Sequence, residues 1–158
     1  MIPGTLRKVL PAVPCWGLLH PDGSPYLTRY VLWGDDALET HAGAAHSAFV
    51  HHIHGPDSDR HMHDHPWSWA VSVILSGGYK ERRPYGDAPR LRTYSPGDLS
   101  VLRPGDYHSI VAVEPDTWTL FLCGREISDW GFLVDGAHVP HADYFTRSDA
   151  QHMTTVPL

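Results

Sequence analysis

No stretch of lysine or arginine interleaves with aromatic residues, and the formal charge is −6 at pH 7. Nucleic acid is therefore not an expected partner. No apolar run approaches the ~20 residues a membrane helix needs, so no membrane association is expected. The stretch RKVLPAVPCWGLL carries basic residues ahead of an apolar run. Pro11 and Pro14 interrupt it and no small-residue cleavage site follows, so no secretory leader is expected. Cysteine occurs twice, as Cys15 and Cys123, with no CxxC spacing. Free thiols and a reduced, cytoplasmic setting follow as expectations. A helical period is also missing, apart from a short turn near ADYFTRSDAQ towards the C-terminus.

What the chain has instead is punctuation. Glycine and proline each occur 14 times in 158 residues, and they fall between short apolar, β-branched runs. These runs predict strands over 16–20, 27–33, 46–54, 67–75, 78–82, 90–94, 98–102, 108–113 and 117–124. The breakers between them are HPDGSP, GPDSD, SGG, PYGDAP, SPGD, RPGD and EPDT, each with a physical reason to turn. Regular short strands without helical crossovers predict an all-β, antiparallel sandwich or barrel. Hydrophobic residues at 42% and charged residues at 19% suit a folded protein of one domain, 1–158.

Histidine is the second abundance, with 13 residues. The segment RHMHDHPWSW, residues 60–69, places three of them at alternate positions. Residues i and i+2 of a strand share a face, so His63 and His65 can reach one ion while Asp64 points away. Two imidazoles rarely suffice for a metal. His108, which follows the Pro104-Gly105 turn at the start of another strand, is the best third donor.

These residues resemble the cupin superfamily. Its first motif, G-x5-H-x-H-x3,4-E-x6-G, fits residues 55–78, with His63, His65 and Gly77 in place. Its second, G-x5-P-x-G-x2-H-x3-N, fits 97–112 through Gly97, Gly105 and His108, with Arg103 in the proline position and Ala112 in the asparagine position. Counting forward from Gly55 selects His61 and His63 instead. Counting back from Gly77 selects His63 and His65, and is preferred because insertions in a strand break its pairing register. His61 then becomes an additional ligand or a donor at the mouth. The motif glutamate is replaced by Trp69 or Ala70, which leaves a three-histidine pattern similar to that of thiol dioxygenases. Their Ser-x-His-x-Tyr triad has no counterpart here. The string HDHPW…LSGGY also resembles small bacterial and phage cupin-like proteins. The resemblance implies a double-stranded β-helix, or jelly-roll, barrel holding one divalent ion, and by analogy a homodimer with a strand edge from the first thirty residues at its interface.

Other residues carry weaker expectations. Tyr79 and Glu81 share a strand face; as catalytic groups they would serve inside the barrel, and otherwise Glu81 is a solvated rim carboxylate. Arg29 lies in the otherwise apolar LTRYVLW and needs a partner, either a substrate carboxylate or an ion pair on an outer face. Trp67 and Trp69 form barrel wall or line a pocket for substrate. Tyr107 should pack in the core. His51, His52 and His54 read as strand residues with ordinary partners, although His54 is near enough to be considered as a fourth ligand.

The reading that results is a metal-dependent cupin acting on a small, anionic metabolite. Fe(II) is the favoured ion, with Zn, Ni or Mn as alternatives, and oxygenation is the favoured reaction. A redox-neutral isomerase, lyase or hydrolase is the second reading. A ligand-binding module with a structural metal is the third.

Overall fold

The computed structural model describes residues 10–34, 45–146 and 154–157. The strands in chain order are β1 (Cys15–Leu19), β2 (Pro25–Trp33), β3 (His46–Ile53), β4 (Met62–His63), β5 (Ala70–Ser76), β6 (Tyr79–Arg83), β7 (Arg90–Tyr94), β8 (Leu99–Leu102), β9 (Ser109–Val113), β10 (Thr117–Gly124), β11 (Gly131–Val134), β12 (Ala137–Pro140) and β13 (Thr154–Pro157). A 3-10 turn at Leu10–Ala12 and a short helix at His141–Phe145 complete the described elements. The helix falls on the predicted C-terminal turn; residues 147–151 of that stretch lie outside the described residues.

All pairings are antiparallel. Seven strands form one sheet in the order β13-β1-β2-β3-β10-β5-β8. Two three-stranded sheets, β12-β11-β4 and β7-β6-β9, line up through a bridge between His63 and His108. The two layers face each other: Tyr26, Leu27, Ile53 and Ile74 of the large sheet pack with Tyr79, Tyr94 and Ile110 of the other. This is the jelly-roll layout expected for two sheets that bury their alternate residues between them.

Alternation decides which side chains enter. In β5, Ala70, Ser72, Ile74 and Ser76 are buried, and in β10, Thr117, Thr119, Phe121 and Cys123. The tight turn between β5 and β6 depends on Gly77, whose φ is +66°. A Cβ there would stand 2.4 Å from Thr117 Oγ1, so the glycine of the first motif answers both a conformational and a steric demand.

Strand β1 is hydrogen-bonded to β13 on one side and β2 on the other. The expectation of a free edge within the first thirty residues therefore fails for both described strands. Among the described residues, the edges of the large sheet are β13 and β8. Cys15 is half-buried and Cys123 buried, and no disulfide joins the two.

Candidate metal centre

Strand β4 has two residues, yet it fixes the site. His63 and His108 exchange both backbone hydrogen bonds, at 2.9 and 2.8 Å, which places their side chains together on the inner face. Asp64 points the other way and is buried, its carboxylate accepting the Gly131 N–H at 2.8 Å. That bond ties the histidine segment to β11. His65, two residues on, returns to the inner face.

One nitrogen from each of His63, His65 and His108 lies within 4.8 Å of the others. His65 Nε2 and His108 Nε2 stand 2.8 Å apart. His108 Nδ1 donates to Glu81 Oε1 at 2.6 Å, so its Nε2 keeps the lone pair a metal requires. Asp57 Oδ2 lies 3.8 Å from His63 Nδ1, and is itself held by the Ile110 N–H while Asp57 Oδ1 accepts from the Tyr26 hydroxyl. Burial lowers the pKa of His63 to about 4, with Asp57 opposing the shift and His108 adding to it. Burial also holds His65 well below the usual range, helped by His108 and His63. Both rings are neutral at pH 7. Three imidazoles with converging nitrogens, one backed by a buried carboxylate, fit a divalent first-row ion.

Glu81 is neither rim carboxylate nor free base. It is 1% exposed and also accepts from Arg83 Nε at 3.1 Å and Nη2 at 3.2 Å. Against the penalty of burial, the bonds to His108 and Arg83 bring its pKa down to about 2. A carboxylate so occupied acts through His108, as a positioning residue. Tyr79 shares its inward face, as the spacing predicts, with Ser72 and Ser100 within hydrogen-bonding reach. Burial and Glu81 push the phenol up to about 12, so it remains a protonated donor.

The structure separates the remaining candidates. Trp67 belongs to the site, stacked on His65 with ring centres 4.9 Å apart. Trp69 does not: inward alternation begins at Ala70, which leaves Trp69 facing outward, 37% exposed and beside His46. His61 turns to the Tyr144 hydroxyl, 3.0 Å away, and stands outside the three-histidine group. His54 Nε2 lies 3.0 Å from Thr28 Oγ1 on the exposed side, and His52 stacks on Trp118. Neither a fourth histidine nor a structural shell is thus assembled among the described residues. Tyr107 is half-buried, and its hydroxyl meets His138 Nδ1 at 2.7 Å rather than the core.

Of the two expectations for Arg29, the outer-face ion pair is not found among the described residues: the side chain lies beside the buried His51. Its Nε donates to His51 Nε2 at 2.9 Å. His51, read as an ordinary strand residue, is buried and stacked on Phe121. The signal was the alternation Phe49, His51, Ile53, which sends a polar ring inside between two apolar ones. Asp57 and Arg83 were also missed, since each serves the site only through a histidine or a carboxylate.

Two facing antiparallel sheets with three histidines converging between them define the class: the chain has the double-stranded β-helix fold of the cupins. No family model matches the sequence, and no curated protein matches it at a significant level. Among solved structures, the polyketide cyclase RemF from Streptomyces resistomycificus is similar with a TM-score of 0.52 and 16% identity, over 77% of this chain and 80% of that one. A double-stranded β-helix protein from Klebsiella pneumoniae gives 0.48 and 17%, over 68% and 84%. HEPD from Streptomyces albus, with 2-hydroxyethylphosphonate and Fe(II) bound, gives 0.49 and 19%, over 70% and 24%.

Proposed function

We propose that the chain is a metal-dependent enzyme for a small, anionic metabolite, with His63, His65 and His108 holding one divalent ion, and that it is an Fe(II) oxygenase. The observation that supports this is the convergence of three imidazoles within 4.8 Å, with no carboxylate in the donor group. Ferrous iron in such a shell supplies exchangeable positions for substrate and oxygen and an accessible change of oxidation state, whereas zinc supplies Lewis acidity alone.

The chain's own residues supply the rest. Glu81 holds the Nδ1 proton of His108 and so fixes the tautomer and aim of that ring. Trp67 covers one face of His65 and excludes water from it. The positive charge of Arg29 is felt at His65 and favours an anion in the same space.

Oxygen uptake tests the reading. Protein loaded with Fe(II) should consume oxygen slowly alone and faster when small carboxylate metabolites are added, while zinc-loaded protein should show no rise. Equal turnover of a metabolite without oxygen would replace the oxygenase reading with a redox-neutral one.

A further inference from the structure

Arg29 is a charged group of the interior that touches none of the three histidines. It sits mid-strand in β2, between partners Trp16 of β1 and His51 of β3. Its guanidinium carbon lies 4.7 Å from the ring centres of both Trp16 and Phe49. Strand β1 supplies the first ring and β3 the second, so aromatic carbon lies on either side of the guanidinium. Its Nε–H is taken by His51. That histidine is itself neutral, because burial and Arg29 hold its pKa well below the usual range.

Among the described residues no carboxylate pairs with Arg29. Burial brings its pKa down to about 10, with only Cys123 and Tyr26 opposing. A buried cation without a counter-ion is unfavourable and is rarely kept for stability. The side chain is deeply surrounded yet retains some accessible surface. His63 and His65 share both properties. A chain of rings joins the two places: His51 stacks on Phe121 at 5.0 Å, Phe121 meets Trp67 at 5.2 Å, and Trp67 stacks on His65 at 4.9 Å.

We propose that Arg29, oriented by His51, is the anchor for the carboxylate of a small ligand whose other end reaches the three histidines. This deepens the proposed function by naming its substrate class, and rests on that function for the far end of the ligand. With an aromatic ring on either side and Nε occupied, the guanidinium offers the edge carrying its two Nη groups. That edge matches a planar two-oxygen acceptor, which a carboxylate is and a tetrahedral phosphate is not.

Metal-free protein tests the anchor apart from the metal. Acetate, titrated against 15N-labelled protein, should shift the Arg29 side-chain resonance saturably, and inorganic phosphate should bind at least about tenfold more weakly. Arg29→Met should abolish saturable acetate binding and raise Tm, since an unpaired buried cation is removed. Arg29→Lys should weaken acetate about tenfold while remaining folded. Iron content by elemental analysis should be unchanged in both variants, which separates loss of the anchor from loss of the metal site. No acetate response in the wild type, unchanged acetate affinity in the variants, or phosphate binding as tightly as acetate would overturn the proposal. A fall in Tm with acetate binding retained would also overturn it, by giving Arg29 a structural part alone.

Discussion

His63 and His108 form a hydrogen-bonded antiparallel pair, each N–H meeting the other's carbonyl oxygen. Such a pair sets its two Cα atoms about 5.5 Å apart with side chains on one face. Two histidines 45 positions apart in the chain are thereby brought into register by the backbone itself. His65 follows from the strand period. The site's geometry depends on two residues of β4 and on the Asp64 bond that secures them to β11.

Glu81 should govern metal affinity without touching the metal. Glu81→Gln leaves His108 a neutral acceptor of the same shape, so the ring loses the charge that fixes and strengthens it as a donor. Chelator competition should show affinity for Fe(II) or Zn(II) lowered about 10- to 100-fold. Unchanged affinity would deny Glu81 this part.

Stability of the metal-free protein should fall in mild acid. His63 titrates near 4 when folded and near 6.5 when unfolded, so between these values the unfolded chain binds more protons. The folded state is then favoured above pH 6.5 and loses up to about 3 kcal/mol through this one group as the pH falls towards 4. His65 shifts in the same direction and adds to the loss. Glu81 acts lower still: its depressed pKa of about 2 stabilises the fold above the ordinary carboxylate range, and that contribution is lost as the pH falls through 2. Urea unfolding at pH 7 and pH 5 measures the histidine effect, and equal stability at the two would contradict it.

A homodimer remains the expected assembly, now without a role for a free β1 edge. Light scattering at micromolar concentration should give the mass of two chains, and a strictly monomeric species would count against it. Mass measured after alkylation should report Cys15 modified in the native protein and Cys123, which is buried, only after unfolding.

The nine strands anticipated from turn residues are present, and two of them, 90–94 and 117–124, have the predicted limits. Strands β11, β12 and β13 have no counterpart among the nine, and β4 is shorter than the histidine alternation suggests. Two residues of β4 carry no periodicity. The hairpin of β11 and β12 turns on Asp135-Gly136, both at positive φ, which is a recognisable two-residue turn signal. The three converging histidines were legible because spacing along a strand fixes the face, and glycine positions fix the turns around it. Residues that act through a second side chain were not. Glu81 could be placed on an inward face, but its bonds to His108 and Arg83 depend on which strands become neighbours, and nothing local to the sequence encodes that. Arg29 was anomalous in its strand from the start, yet its direction required the register of β1, β2 and β3.

Elemental analysis of protein purified without a histidine tag, compared with single alanine variants, is the most direct test of the three-histidine centre. The wild type and His51→Ala should each carry about one divalent ion per chain, and His63→Ala, His65→Ala and His108→Ala should each lose most of it. Full occupancy in His108→Ala would contradict the centre described here.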